Sequence, residues 1–68
     1  MSVTEQLPPM LNRSQAAEFL GLTPQALSQM DHRGDGPPYA KIGRSVRYRR
    51  EDLLTWIESK IVYPKAAS

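Results

Sequence analysis

The chain has no cysteine, one histidine (His32), one tryptophan and one phenylalanine. Without cysteine there is no disulfide framework, and a lone histidine cannot supply a metal site, so packing alone must hold the fold. The opening MSVTEQLPPM lacks the basic start and apolar run of a secretion signal. No stretch reaches the roughly 18 apolar residues of a membrane span. A soluble, cytoplasmic protein is therefore expected. The carboxylates are scattered, and His32 has no second ligand or triad partner at a meaningful spacing, so neither catalysis nor a cofactor is expected.

Acid is also scarce where base is abundant. Net charge is only +2, yet Arg33, Lys41, Arg44, Arg47, Arg49 and Arg50 fall in one stretch whose only acid is Asp35. The middle of the chain is its basic part.

At 68 residues the chain is one domain, because a core of this size buries only about 60% of the unfolded surface. Residues 1–9, with Pro8-Pro9, and residues 62–68 read as flexible tails around a domain at 10–61. A first helix should begin after Leu11, with Asn12 as N-cap and Gln15 three residues on in a loose capping box, and stop at Gly21. Asn12-Arg13-Ser14 also matches a glycosylation sequon, but the capping role fits an intracellular chain better. Thr23 as N-cap and Pro24 at the first helical position start a second helix, Pro24 to Arg33, closed by Gly34. Two short helices across Gly21-Leu22-Thr23 make a helix-turn-helix. Gly34-Asp35-Gly36-Pro37-Pro38 is a turn and linker, with no strand before it to make a phosphate loop. A last helix should run from about Arg50 to Lys60 or Ile61, with Leu53, Trp56 and Ile57 as its buried stripe and Glu51 and Asp52 in the first turn.

At about 100° per residue, Ala26, Leu27 and Met30 share one side of the second helix, and Gln25, Ser28, Gln29, His32 and Arg33 the other. A solvated face normally mixes Glu with Lys, whereas this one has no acid and consists of groups that reach base edges or phosphates. With Thr23 at its start, this face is the candidate major-groove surface. His32 would make a groove-edge or phosphate contact at most.

Residues Tyr39 to Arg49 alternate in two arms and read as a hairpin. A two-residue loop, Gly43-Arg44, would set Lys41 against Val46 and mix apolar with basic faces. A three-residue loop, Gly43-Arg44-Ser45, pairs Ile42 with Val46 and Ala40 with Tyr48 inside, and Lys41 with Arg47 and Tyr39 with Arg49 outside. Face matching favours the longer loop. That register places like charges opposite, at a cost of roughly 0.2–1 kcal/mol that a bound phosphate would relieve. Lys41, Arg44, Ser45, Arg47 and Arg49 are the candidate wing contacts, and Arg13 and Ser14 on the first helix are candidate backbone contacts.

Leu11-Asn12, Ala16-Ala17-Glu18-Phe19-Leu20-Gly21, Gly36-Pro37-Pro38-Tyr39, Lys41-Ile42-Gly43-Arg44, Val46-Arg47-Tyr48, Asp52-Leu53 and Trp56-Ile57 together resemble the small winged helix-turn-helix proteins of the excisionase and AlpA-type regulator group, related to the MerR DNA-binding head. The resemblance covers residues 11 to 60. It departs where many members carry Trp-Arg and this chain has Met30-Asp31. It implies an α+β fold of two helices, a two-stranded wing hairpin and a third helix, with the second helix in the major groove and the wing on the adjacent minor groove and backbone. It further implies a bacterial or phage mobile-element protein on double-stranded DNA, directing excision or regulating transcription, with an integrase as a further partner.

One such domain covers little DNA, so a monomer in solution that assembles cooperatively on DNA is expected. Four to six phosphate contacts would give a log-log salt slope of about −4 to −5. The alternative is a protein-interaction adaptor for an integrase or a phage packaging component, whose binding would hardly respond to salt.

Overall fold

The computed structural model describes residues 8–65, so residues 1–7 and 66–68 of the two expected tails lie outside the described residues. The elements are β1 (Met10–Leu11), α1 (Arg13–Leu20), α2 (Pro24–Arg33), β2 (Ala40–Ile42), β3 (Ser45–Arg49) and α3 (Arg50–Lys60). The fold is α+β, three helices with an antiparallel hairpin, and is consistent with a winged helix.

Local chemistry sets the helix ends where the sequence places them. The Asn12 side chain accepts from the Gln15 amide at 2.8 Å, and the Gln15 side chain accepts from the Asn12 amide at 2.9 Å, a complete capping box. Thr23 Oγ1 accepts from the Ala26 amide at 3.0 Å, with Pro24 following it. Gly21 adopts φ 74°, where a side chain would clash with the backbone, and so ends α1. The amides of Gly21 and Leu22 then reach back to the carbonyls of Glu18 and Ala17, at 3.1 and 2.8 Å. Gly34 and Asp35 close α2 in the same way, on Asp31 and Met30. These paired terminal bonds stop the two helices sharply, which sets the turn between them.

A third strand, not expected from the sequence, joins the hairpin. The sheet order is β1-β3-β2, and Met10 and Leu11 pair with Arg49 and Tyr48. Two residues after a Pro-Pro pair are too few to show a strand's alternation, so only the partner strand makes this one visible. The Pro9 carbonyl extends the connection, accepting from the Arg50 amide at 3.0 Å.

The hairpin register also corrects the expected one. Ala40 pairs with Arg47, Lys41 with Val46 and Ile42 with Ser45, which leaves the two-residue loop Gly43-Arg44. Gly43 has φ 62°, and among the described residues no non-glycine residue has a positive φ. A positive φ at the first central position only is the pattern of a type II′ turn, whose twist matches that of the strands it joins. Turn chemistry therefore outweighs face matching. Lys41 and Arg47 fall on opposite faces, so the expected like-charge pair is not made.

The core consists of Leu11, Ala16, Ala17, Leu27, Tyr48 and Leu53, with Phe19, Leu20, Leu22 and Val46 packed against it. β1, the three helices and β3 contribute through their inward faces, while β2 stays at the surface. Pro37, in the linker, is also buried. Of the expected stripe on α3 only Leu53 is fully buried. Trp56 and Ile57 are half-buried, and the Lys60 ammonium lies 5.5 Å from the Trp56 ring centre.

Candidate nucleic-acid interface

The inner side of α2 is anchored by Leu27, which is fully buried, with Ala26 and Met30 half-buried beside it. Anchoring that side turns Gln25, Gln29, His32 and Arg33 fully outward, with Ser28 half-exposed at their edge. Ser28, Gln29, His32 and Arg33 line one open depression on the surface. The face therefore combines amide, hydroxyl, imidazole and guanidinium groups without a carboxylate. Thr23 is exposed at its head, with its hydroxyl oxygen committed to the cap.

Asp31, the acid in this helix, is turned away from that face. Its side chain is only 4% exposed. Arg13 of α1 donates to Asp31 Oδ2 from 3.2 Å, and the Tyr48 hydroxyl of β3 donates to the same oxygen. Arg13 Nε also lies 3.3 Å from the Tyr48 oxygen, closing a three-residue network across α1, α2 and β3. Sequence reasoning found no partner for Asp31, because its partners lie 18 and 17 residues away. The network also engages Arg13, expected at the DNA backbone, whose side chain remains 33% exposed. Burial raises the Tyr48 phenol to about 12, and donating its proton to Asp31 raises it too, against the opposing pull of Arg13. Hydrogen bonding to Tyr48 in turn pushes Arg13 above its ordinary value, with Asp31 acting in the same direction.

On the hairpin, strand alternation places Ser45, Arg47 and Arg49 with Ala40 and Ile42 on the face away from the core. Ile42 is 59% exposed as a result. Val46 and Tyr48 point inward, and Lys41 and Tyr39 share their face, with the Tyr39 and Tyr48 rings 6.0 Å apart. Arg44 is exposed at the tip. Lys41 and Arg44 have no ion-pair partner among the described residues, whereas Arg47 Nη1 donates to the Val46 carbonyl at 3.0 Å. Arg49 is held by Asp52 through two hydrogen bonds, which pushes its guanidinium further above its usual range. Arg33 lies 3.5 Å from Asp35. Ser14 is exposed on α1.

Two short helices with a sharp turn, an exposed polar face on the second and a basic hairpin form a recognisable unit. A family model described as a helix-turn-helix domain matches residues 10–61. The chain belongs to this helix-turn-helix domain family. Membership supports DNA binding, and the matched span runs from β1 to just past α3. No curated protein matches the sequence. Among the described residues there is no cluster of potential metal ligands, and no helix is long and apolar enough to cross a membrane.

Proposed function

We propose that this helix-turn-helix protein binds double-stranded DNA sequence-specifically, with α2 in the major groove and the β2–β3 hairpin as a wing on the neighbouring backbone and minor groove. The observation that carries the proposal is the composition of the outward face of α2. Gln25, Gln29, His32 and Arg33 are all exposed there without a carboxylate. Glutamine can bond adenine, and arginine guanine, through two hydrogen bonds each. Lys41, Arg44, Arg47 and Arg49, with Ser45, then supply charge and hydrogen bonds to phosphate from the wing, and Ser14 adds a backbone contact from α1.

Resemblance to the excisionase and AlpA-type group extends the proposal to a mobile-element protein that directs excision or regulates promoters, as a monomer that assembles on DNA beside an integrase. Exposed Ile61, Val62 and Tyr63, which lie outside the DNA contacts proposed above, favour a protein partner as a second role.

A mobility-shift titration tests the DNA assignment. Arg47→Ala should weaken binding to every sequence and flatten the log-log salt slope by about one, whereas Gln29→Ala should relax preference at one base pair. Unchanged binding in both variants would sink the groove assignment. Footprinting around the protein's own gene would show whether the sites flank an integrase gene or a promoter.

A further inference from the structure

The arginine best placed at the end of the wing strand is already held by an anion of its own chain. Arg49 Nε donates to Asp52 Oδ2 at 2.7 Å and Nη2 to Oδ1 at 3.0 Å. This two-pronged geometry is the one a guanidinium also makes with a phosphate. The Arg49 side chain is 61% exposed, so a backbone phosphate can reach it, while Asp52 is 23% exposed. Asp52 sits in the first turn of α3, where the helix dipole favours a carboxylate and keeps it in place. Arg33, at the end of α2, shows a looser version of the arrangement: one contact of 3.5 Å to Asp35, with both side chains exposed.

We propose that Asp52 is a specificity-determining residue, a phosphate surrogate that occupies Arg49 and yields it only to a phosphate held in register by base contacts of α2. The proposal rests on the DNA-binding assignment above. Moving Arg49 from Asp52 to DNA exchanges two charge-assisted hydrogen bonds for two others, so little is gained unless the incoming phosphate is fixed at the right place. A cognate site fixes it, because the bases hold the duplex in one position. A random sequence lets the duplex slide and presents no fixed phosphate, so Arg49 stays with Asp52 and non-specific affinity remains low. Asp35 acts on Arg33 in the same way, more weakly because one long contact is easier to break than two short ones.

The test compares the wild type with Asp52→Asn on a random-sequence duplex and on a duplex selected by the wild type from a random pool, each titrated across salt concentration. Asp52→Asn should tighten binding to the random duplex about two- to fivefold and steepen its salt slope by about 0.9, the value of one added phosphate contact. The selected duplex should gain less, so the ratio of the two affinities falls. Asp35→Asn should shift the ratio in the same direction by a smaller factor. In an Arg49→Ala background, Asp52→Asn should have no further effect. Asp52→Ser provides a second variant of the same sign, and thermal melts followed by circular dichroism establish that each variant is folded.

An equal gain from Asp52→Asn in the Arg49→Ala background would mean simple repulsion between Asp52 and DNA, and would overturn the proposal. Unchanged affinity and slope in folded Asp52→Asn would overturn it while leaving DNA binding intact. A wild type that binds no duplex even at low salt would remove the DNA-binding assignment itself, and this proposal with it.

Discussion

Replacing Asp31 with alanine removes, in one step, the carboxylate that pairs with Arg13 and accepts from Tyr48. Tyr48 has no exposed surface, so its hydroxyl would lose its acceptor inside the fold, and the variant should lose about 1–3 kcal/mol of stability in urea melts. Gly36 bears on the same group, because a Cβ there would stand 2.5 Å from Asp31 Oδ1. Gly36→Ala should therefore destabilise through this network. The phenol also sets an alkaline limit. The Tyr48 proton is held to about 12 in the folded chain against an ordinary 10.0, so above pH 10 the unfolded chain releases it first. The stabilisation is complete below that point and disappears as pH rises through about 12. Melting temperature followed from about pH 9 to about pH 12 should fall in the wild type, and that part of the fall should be missing in Tyr48→Phe. None of this was legible in the sequence. There Asp31 reads as an acid beside a DNA-facing helix, and only the fold shows that it points inward.

The elements were legible in proportion to how local their signals are. Asn12 with Gln15, Thr23 with Pro24, and Gly21 and Gly34 act within a few residues, and the bounds of α1 and α2 follow from them. The outward face of α2 was legible for the same reason, since one apolar anchor and a period of about 3.6 residues decide it. Hairpin register was not, because face alternation and turn chemistry disagree over Tyr39 to Arg49. The type II′ turn prevails and leaves Ile42 exposed while Val46 packs on the core. Two substitutions separate the registers. Ile42→Thr should change stability by no more than about 0.5 kcal/mol, as exposed positions do, whereas Val46→Thr should cost about 1–2 kcal/mol by placing a hydroxyl against apolar neighbours. Equal costs would favour the longer loop. Gly43→Ala should cost about 1–2 kcal/mol, because alanine resists the positive φ that the turn requires.

Across the whole molecule, a net charge of +2 conceals how the charge is deployed. Asp31, Asp35, Glu51 and Asp52 are each ion-paired with an arginine, respectively Arg13, Arg33, Arg50 and Arg49. Lys41, Arg44 and Arg47 form no such pair among the described residues, and all three lie on the hairpin. If those three alone meet phosphate, each contributing about −0.9, the log-log salt slope is about −2.7. If Arg33 and Arg49 also exchange their aspartates for phosphate, five contacts give about −4.5. The paired arginines thus make the slope a measure of how the protein sits on DNA. The wild type should show about −2.7 on random duplex and about −4.5 on its selected site, a separation of nearly two. Identical slopes on the two duplexes would mean that Arg33 and Arg49 engage DNA regardless of sequence, and that specificity arises from base contacts of α2 alone.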